Sequence, residues 1–186
     1  MSGTIIIWII IALAVVAIAW AISIYNSLVK RKNYVEDAWS GIEVQLKKRH
    51  NLMPNLVKTV KGYAEHESSL LKDVTELRVP QTAKTPEGTS ALEQVFSKKL
   101  GGIMVQVEAY PDLKADGSFQ RLQEQLATIE GDIEHARRYY NGSVRDLNTL
   151  VQSFPSNLVA QKFSFTEAEF FELDVEAARQ VPQVEF

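Results

Sequence analysis

The stretch VEDAWSGIEVQLKKRHNLMPNLVKTVKGYAEHESSLLKDVTEL, residues 35–77, decides the fold. Stepping alternately by four and three from Val35 gives Trp39, Ile42, Leu46, Arg49, Met53, Leu56, Val60, Tyr63, Glu67, Leu70, Val74 and Leu77. Only Arg49 and Glu67 interrupt that apolar stripe. Residues so spaced share one narrow face of a helix, so the stretch predicts a long helix burying a seam against other helices, as in a bundle or coiled coil. No period-two alternation competes with it. The phase is the same on both sides of Pro54, which predicts one helix with a local kink; a break at residues 51–54 is the competing reading.

Working upstream, Ile5 to Ile24 is an uncharged run whose one polar residue is Ser23, and the first basic residues, Lys30, Arg31 and Lys32, follow it. About 20 residues at 1.5 Å each give roughly 30 Å of helix, the thickness of a bilayer's hydrocarbon core. The run is read as a single span over residues 5–25, with residues 1–4 as a short outer leader and residues 26–186 as one cytoplasmic domain. No charge precedes the run, so Lys30, Arg31 and Lys32 are the topology determinants that hold the inner side. This places the chain in a membrane with its N-terminus outside and the rest of the chain inside the cell. A cleaved secretory signal is the rival reading, suggested by Ala17-Ile18-Ala19 and Ala19-Trp20-Ala21, but such signals start basic and have a shorter apolar core. Trp8, Trp20 and Tyr25 lie toward the ends of the run, where amphipathic rings favour the headgroup level. Ala17 and Ala21 make one weak small-xxx-small pair for helix association.

Working downstream, the spacing predicts helices over about 26–78, 86–110, 118–154 and 166–180. The first continues from the membrane helix, so the fold class is all-α: an antiparallel bundle of three long helices plus a short C-terminal one. Thr85 before Pro86 reads as an N-cap with proline at the first helical position. The second stripe is Leu92, Phe96, Leu100, Ile103, Val107 and Tyr110. Gly101 and Gly102 inside it each cost about 1 kcal/mol in a helix, which suggests a close helix crossing there. Asp116-Gly117-Ser118 reads as a turn. The third helix carries Phe119, Leu122, Leu126, Ile129, Ile133, Ala136, Tyr140, Val144, Leu147, Val151 and Phe154, and Pro155 ends it. Thr166 and Glu169 form a capping box for the last helix, with Phe163, Phe165, Phe170 and Phe171 expected to cap the open end of the bundle or, if exposed, to form a docking surface.

Composition excludes several chemistries. The chain has no cysteine, hence no disulfide, thiolate metal site or cysteine nucleophile, and its net charge of −3 argues against nucleic-acid binding. His66-Glu67 on a helix after a span resembles the phosphoacceptor helix of sensor kinases, but no glycine-rich nucleotide loop follows. Asp132 and His135, with Glu130 and Glu134 near them, give one half of a bundle-type di-iron set; neither His50 nor His66 has a carboxylate three residues before it. No catalytic residue, metal site or cofactor is therefore expected, and the chain is read as not an enzyme.

Several strings carry a family resemblance: Tyr25-Asn26-Ser27-Leu28-Val29, Ala38-Trp39-Ser40, Pro54-Asn55-Leu56-Val57, Ala109-Tyr110-Pro111-Asp112-Leu113, Ala136-Arg137-Arg138-Tyr139-Tyr140-Asn141 and Ser153-Phe154-Pro155-Ser156-Asn157. From Tyr25 to Phe186 the chain resembles the LemA family. Leu147 departs from the Tyr that relatives often carry, and Leu150 and Val151 make their segment more apolar. The resemblance implies a single-span cytoplasmic-membrane protein with an internal helical bundle. It implies no reaction, because the family has no agreed catalytic residues to carry over.

Arg49 and Glu67 stand at core positions, where a charge is tolerated only when paired. Eighteen residues of helix separate them by about 27 Å, so each needs a partner on another helix. Glu130 or Glu134 for Arg49, and Arg137 or Arg138 for Glu67, are the candidates, as buried polar groups that set helix register. Lys47 and Lys48 lie about 36 Å past Ile24 along a straight helix, several screening lengths of about 8 Å from lipid. The functional expectation is a non-catalytic membrane-anchored scaffold or adaptor that self-associates. Its partners would be the lipid bilayer, further copies of itself and a second membrane protein. The alternatives are an accessory subunit of a membrane peptidase or transporter, a membrane-shaping oligomer and, weakest, a metal-dependent enzyme.

Overall fold

A computed structural model describes residues 2–63, 72, 74–77, 83 and 85–172. Helix α1 spans Ser2–Tyr63 and carries Pro54 inside it, so the apolar run and the first bundle helix are continuous, and no break occurs at residues 51–54. Helices α2 (Pro86–Val107), α3 (Pro111–Ala115), α4 (Gly117–Gln152) and α5 (Ser156–Lys162) follow. No strand occurs among the described residues, and the fold class is all-α.

The chain divides into two units, residues 1–41 with 138–168 and residues 42–137 with 169–186. In the first, Leu28, Val35 and Ala38 of α1 are buried, as are Tyr140, Val144 and Leu147 of α4 and Val159 and Ala160 of α5. The Trp39 ring meets Tyr140 edge-on at 5.4 Å, and Arg31 pairs with Asp146. Residue numbers fall along α1 as they rise along α4 in these two contacts, so the helices run antiparallel there. In the second unit the core gathers Met53, Leu56 and Val60 of α1 with Phe96, Leu100 and Ile103 of α2, Leu113 of α3 and Phe119 and Leu126 of α4. The four-three stripe is thus the buried face of α1 at Val35, Ile42, Leu46, Arg49, Met53, Leu56 and Val60. Tyr63 leaves it, staying exposed while its hydroxyl donates to Asp116. Glu67 and Leu70 lie outside the described residues.

Local chemistry sets the ends of α2. Thr85 Oγ1 accepts from the Gly88 N–H at 3.1 Å and Pro86 occupies the first turn, satisfying one of the donors a helix start leaves unpaired. Gly88 is required: a Cβ there would meet the Ala83 Cβ at 2.7 Å. The helix stops at Val107 rather than at residue 110, because Tyr110, preceding Pro111, is held out of helical geometry (φ −119°, ψ 81°) and serves as the N-cap of α3.

Three expectations are corrected here. Gly101 and Gly102 do not mark a close crossing, since a Cβ on either would meet nothing within 4 Å. With space free and helical backbone already in place, Gly101→Ala and Gly102→Ala are each expected to raise stability by about 1 kcal/mol, measurable as an upward shift of the thermal midpoint followed by circular dichroism. The helix expected over 166–180 is also absent from its described part, residues 166–172. Side chains of other helices take the backbone groups there. Asn148, buried on α4, donates to the Ala168 carbonyl at 3.0 Å and accepts from the Ala168 N–H at 2.8 Å, and Ser90 Oγ donates to the Glu172 carbonyl. Residues 173–180 lie outside the described residues. The four phenylalanines likewise do not act together: Phe171 is buried in the second unit, Phe163 and Phe165 pack on Tyr25 in the first, and Phe170 is exposed.

Candidate functional site

The most unusual chemistry in the second unit surrounds Arg49, a guanidinium that is 2 % exposed. Its four-three position on α1 points it into the core, and two carboxylates meet it there. Glu93 of α2 accepts from Nη2, and Glu130 of α4 accepts from Nη1 at 2.8 Å. The ring of Phe96 lies 4.1 Å from Cζ, a stacking geometry suited to a delocalised cation. Glu93 is 6 % exposed and depends on the arginine, whereas the Glu130 side chain is 41 % exposed and is partly served by water. A planar fork that binds α2 with one arm and α4 with the other fixes the angular setting of three helices at once.

The structure therefore brings Arg49 to Glu130, one of the two partners the sequence offered, and adds Glu93. Glu134 is exposed on α4. Arg137 is half-buried on α4, and its expected partner Glu67 lies outside the described residues. In the first unit the basic trio after the apolar run is only loosely held: Arg31 pairs with Asp146, Lys32 lies 3.9 Å from Glu36, and the Lys30 ammonium sits 5.6 Å from the Tyr34 ring.

A shallow groove in the second unit, about 560 Å³, runs between α1 and the start of α4 past Lys58, Tyr63, Asp116 and Arg121. Asp116 organises it. Its Oδ1 accepts from the N–H groups of Ser118 and Phe119 at 2.8 and 2.9 Å, capping α4, while Oδ2 accepts from the Tyr63 hydroxyl at 2.9 Å. These donors, the Phe119 N–H first, lower the Asp116 pKa, and the same hydrogen bond with the carboxylate charge raises that of Tyr63. An acid whose folded pKa lies below its unfolded one adds stability that is complete above the unfolded value, about 3.9, and fades as pH falls through the folded value. Asp116→Ala is accordingly expected to be less stable than the parent at pH 7, and the gap to narrow progressively below about pH 4. Denaturant titrations at several pH values measure it.

Among the described residues, no group of three or more His, Cys, Asp or Glu side chains could hold a metal ion, so Asp132, His135 and their acidic neighbours form no such set. The cleft in the first unit, about 230 Å³ between Val35, Leu147 and residues 164–168, is also lined by Lys32 and Glu36, which lie 3.9 Å apart. Among the described residues, only α1 is long and apolar enough to cross a membrane by length and composition.

A family model described as LemA family matches residues 38–186, well over half of the chain. The chain belongs to the LemA family. The match begins after the apolar run and takes in Arg49, Glu93 and Glu130. Protein LemA of Metamycoplasma hominis is 27 % identical over 150 residues, covering 79 % of this chain and 68 % of its own. Magnetosome protein MamQ 2 of Paramagnetospirillum magneticum is 27 % identical over 188 residues, covering 86 % and 69 %. Magnetosome protein MamQ of Magnetospirillum gryphiswaldense is 24 % identical over 174 residues, covering 79 % and 64 %.

Proposed function

We propose that this LemA-family protein is a non-catalytic scaffold, anchored by one span in the bacterial cytoplasmic membrane with its N-terminus outside, that works by self-association. The observation that carries this reading is the change of character along α1. Large apolar side chains from Ile5 to Ile22 are 42–69 % exposed, an arrangement that water penalises and lipid accepts. From Val35 on, the same helix buries its apolar stripe within protein. Lys30, Arg31 and Lys32 follow the span and retain the inner side, while the Arg49 cluster serves helix register rather than chemistry.

Self-association is supported by an outer face of α2 on which Ala91, Val95, Gly102 and Val105 are exposed, with Lys98 between Val95 and Gly102. The magnetosome proteins among the relatives favour a second reading, in which the assembled copies organise the membrane that holds them. Native mass spectrometry of the full chain released from lipid nanodiscs tests the main reading. Multiples of the 20.9 kDa chain are expected. A single copy at every concentration would remove self-association, and a stoichiometric metal would remove the non-catalytic assignment.

A further inference from the structure

The end of α4 and the segment after it return to the level at which α1 leaves its apolar run. The Arg31 to Asp146 ion pair marks the local register of these antiparallel helices. Both rise about 1.5 Å per residue, so six residues from the pair along each helix bring Gln152, the last residue of α4, level with Tyr25. Phe154 follows two residues after the end of α4. An independent contact agrees: the Tyr25 ring meets Phe163 edge-on at 4.8 Å and Phe165 at 5.7 Å.

At this level the chain turns a corner with its apolar side chains outward. Phe154 is 79 % exposed, Leu158 56 % and Phe163 55 %. On the opposite face of α5, Ser156, Val159 and Ala160 are buried, and the Ser156 hydroxyl lies within hydrogen-bond reach of the Leu150 and Ser153 carbonyls at 2.7 and 2.9 Å. The outward presentation is therefore held in place from behind. Lys162 is exposed beside Phe163, and Lys30 is exposed on the neighbouring α1.

Rings and leucine at the end of a span, with lysines beside them, match the chemistry of the headgroup boundary, where apolar side chains enter the acyl edge and ammonium groups meet phosphate. We infer that residues 154–163 form a second membrane contact, a foothold in which Phe154, Leu158 and Phe163 dip into the inner headgroup layer of the bilayer that α1 crosses. Two points of contact, the span and this corner, fix rotation about the span in a way that one helix alone does not. The inference rests on the membrane reading above and adds to it.

The absence of native cysteine makes the test clean. Nitroxides are attached to the full chain at Phe154→Cys and Leu158→Cys, with Ile18→Cys and Gln125→Cys as references, in nanodiscs of phosphatidylethanolamine and phosphatidylglycerol. Spin relaxation by oxygen and by a water-soluble nickel chelate is then compared. The oxygen-to-nickel ratio at 154 and 158 is expected to be several-fold above that at 125 and below that at 18. A ratio at 158 equal to that at 125, with an acyl-like value at 18, would overturn the foothold and leave the span intact. Shielding of 158 from both reagents would overturn it in favour of a second copy covering the corner. A water-like value at 18 would overturn span and foothold together.

Discussion

Arg49→Met in the full chain is expected to cost about 3–5 kcal/mol of stability, the penalty for removing one partner of a buried ion pair. The reason lies with what stays behind. Glu93 is 6 % exposed and would be left as a buried polar group without its partner, while Glu130, with a side chain 41 % exposed, can turn to water. Methionine approximates the volume of the arginine stem, so little of the loss comes from a cavity. A domain of this size has about 5–15 kcal/mol in hand, so the variant should show a large fall in its denaturant midpoint. Arg49→Met/Glu93→Leu is expected to recover most of the loss, since replacing both charges by apolar groups of similar size is often close to neutral. A single variant as stable as the parent would show that the cluster does not hold the helices. A double variant no better than the single would show that packing around Phe96, not charge, is responsible.

Much of this cluster was legible in the sequence, and the missing part has a simple cause. Arg49 falls on the four-three stripe of α1, which announced a buried cation, and Glu130 sits on the helix that must return alongside. Glu93 was passed over because the second stripe was entered at Leu92. Stepping back three from Phe96 reaches Glu93, and another four reaches Thr89; both are buried. A charged residue at core phase on a second helix was the signal for the partner of Arg49.

Elsewhere, tertiary contacts overrode correct local signals. Thr166 and Glu169 have the spacing of a capping box, yet Asn148 takes the backbone of Ala168 and Ser90 reaches Glu172, so residues 166–172 stay extended. Asp116-Gly117-Ser118 read as a turn, whereas α4 already begins at Gly117 and Asp116 caps it; nor did the sequence show that Tyr63, more than fifty residues earlier, would donate to the same carboxylate. The short helix α5 was hidden by its length, because seven residues are too few to display helical periodicity.

The second large effect concerns the apolar run. On an insertion scale, its aliphatic residues together favour the bilayer by about 4–7 kcal/mol, and one arginine at the centre opposes this by about 2.5–3.5 kcal/mol. Val15, mid-run and exposed, is the place for it. Val15→Arg alone is expected to lower the membrane-inserted fraction, and Ile11→Arg/Val15→Arg, one helical turn apart, to shift the protein from the carbonate-resistant to the carbonate-extractable fraction. Val15→Leu, which keeps the surface apolar, should remain resistant like the parent. Full carbonate resistance of the double variant would mean that something other than residues 5–24 holds the protein to the membrane.

The central claim is that α1 passes through the lipid once and leaves the helical units on the inner side. A membrane-impermeant maleimide applied to intact cells tests it most directly, using Thr4→Cys and Gln125→Cys in a chain with no cysteine of its own. The account predicts that Thr4→Cys is labelled in intact cells and Gln125→Cys only after lysis. Labelling of Gln125→Cys in intact cells, with Thr4→Cys shielded until lysis, would contradict it.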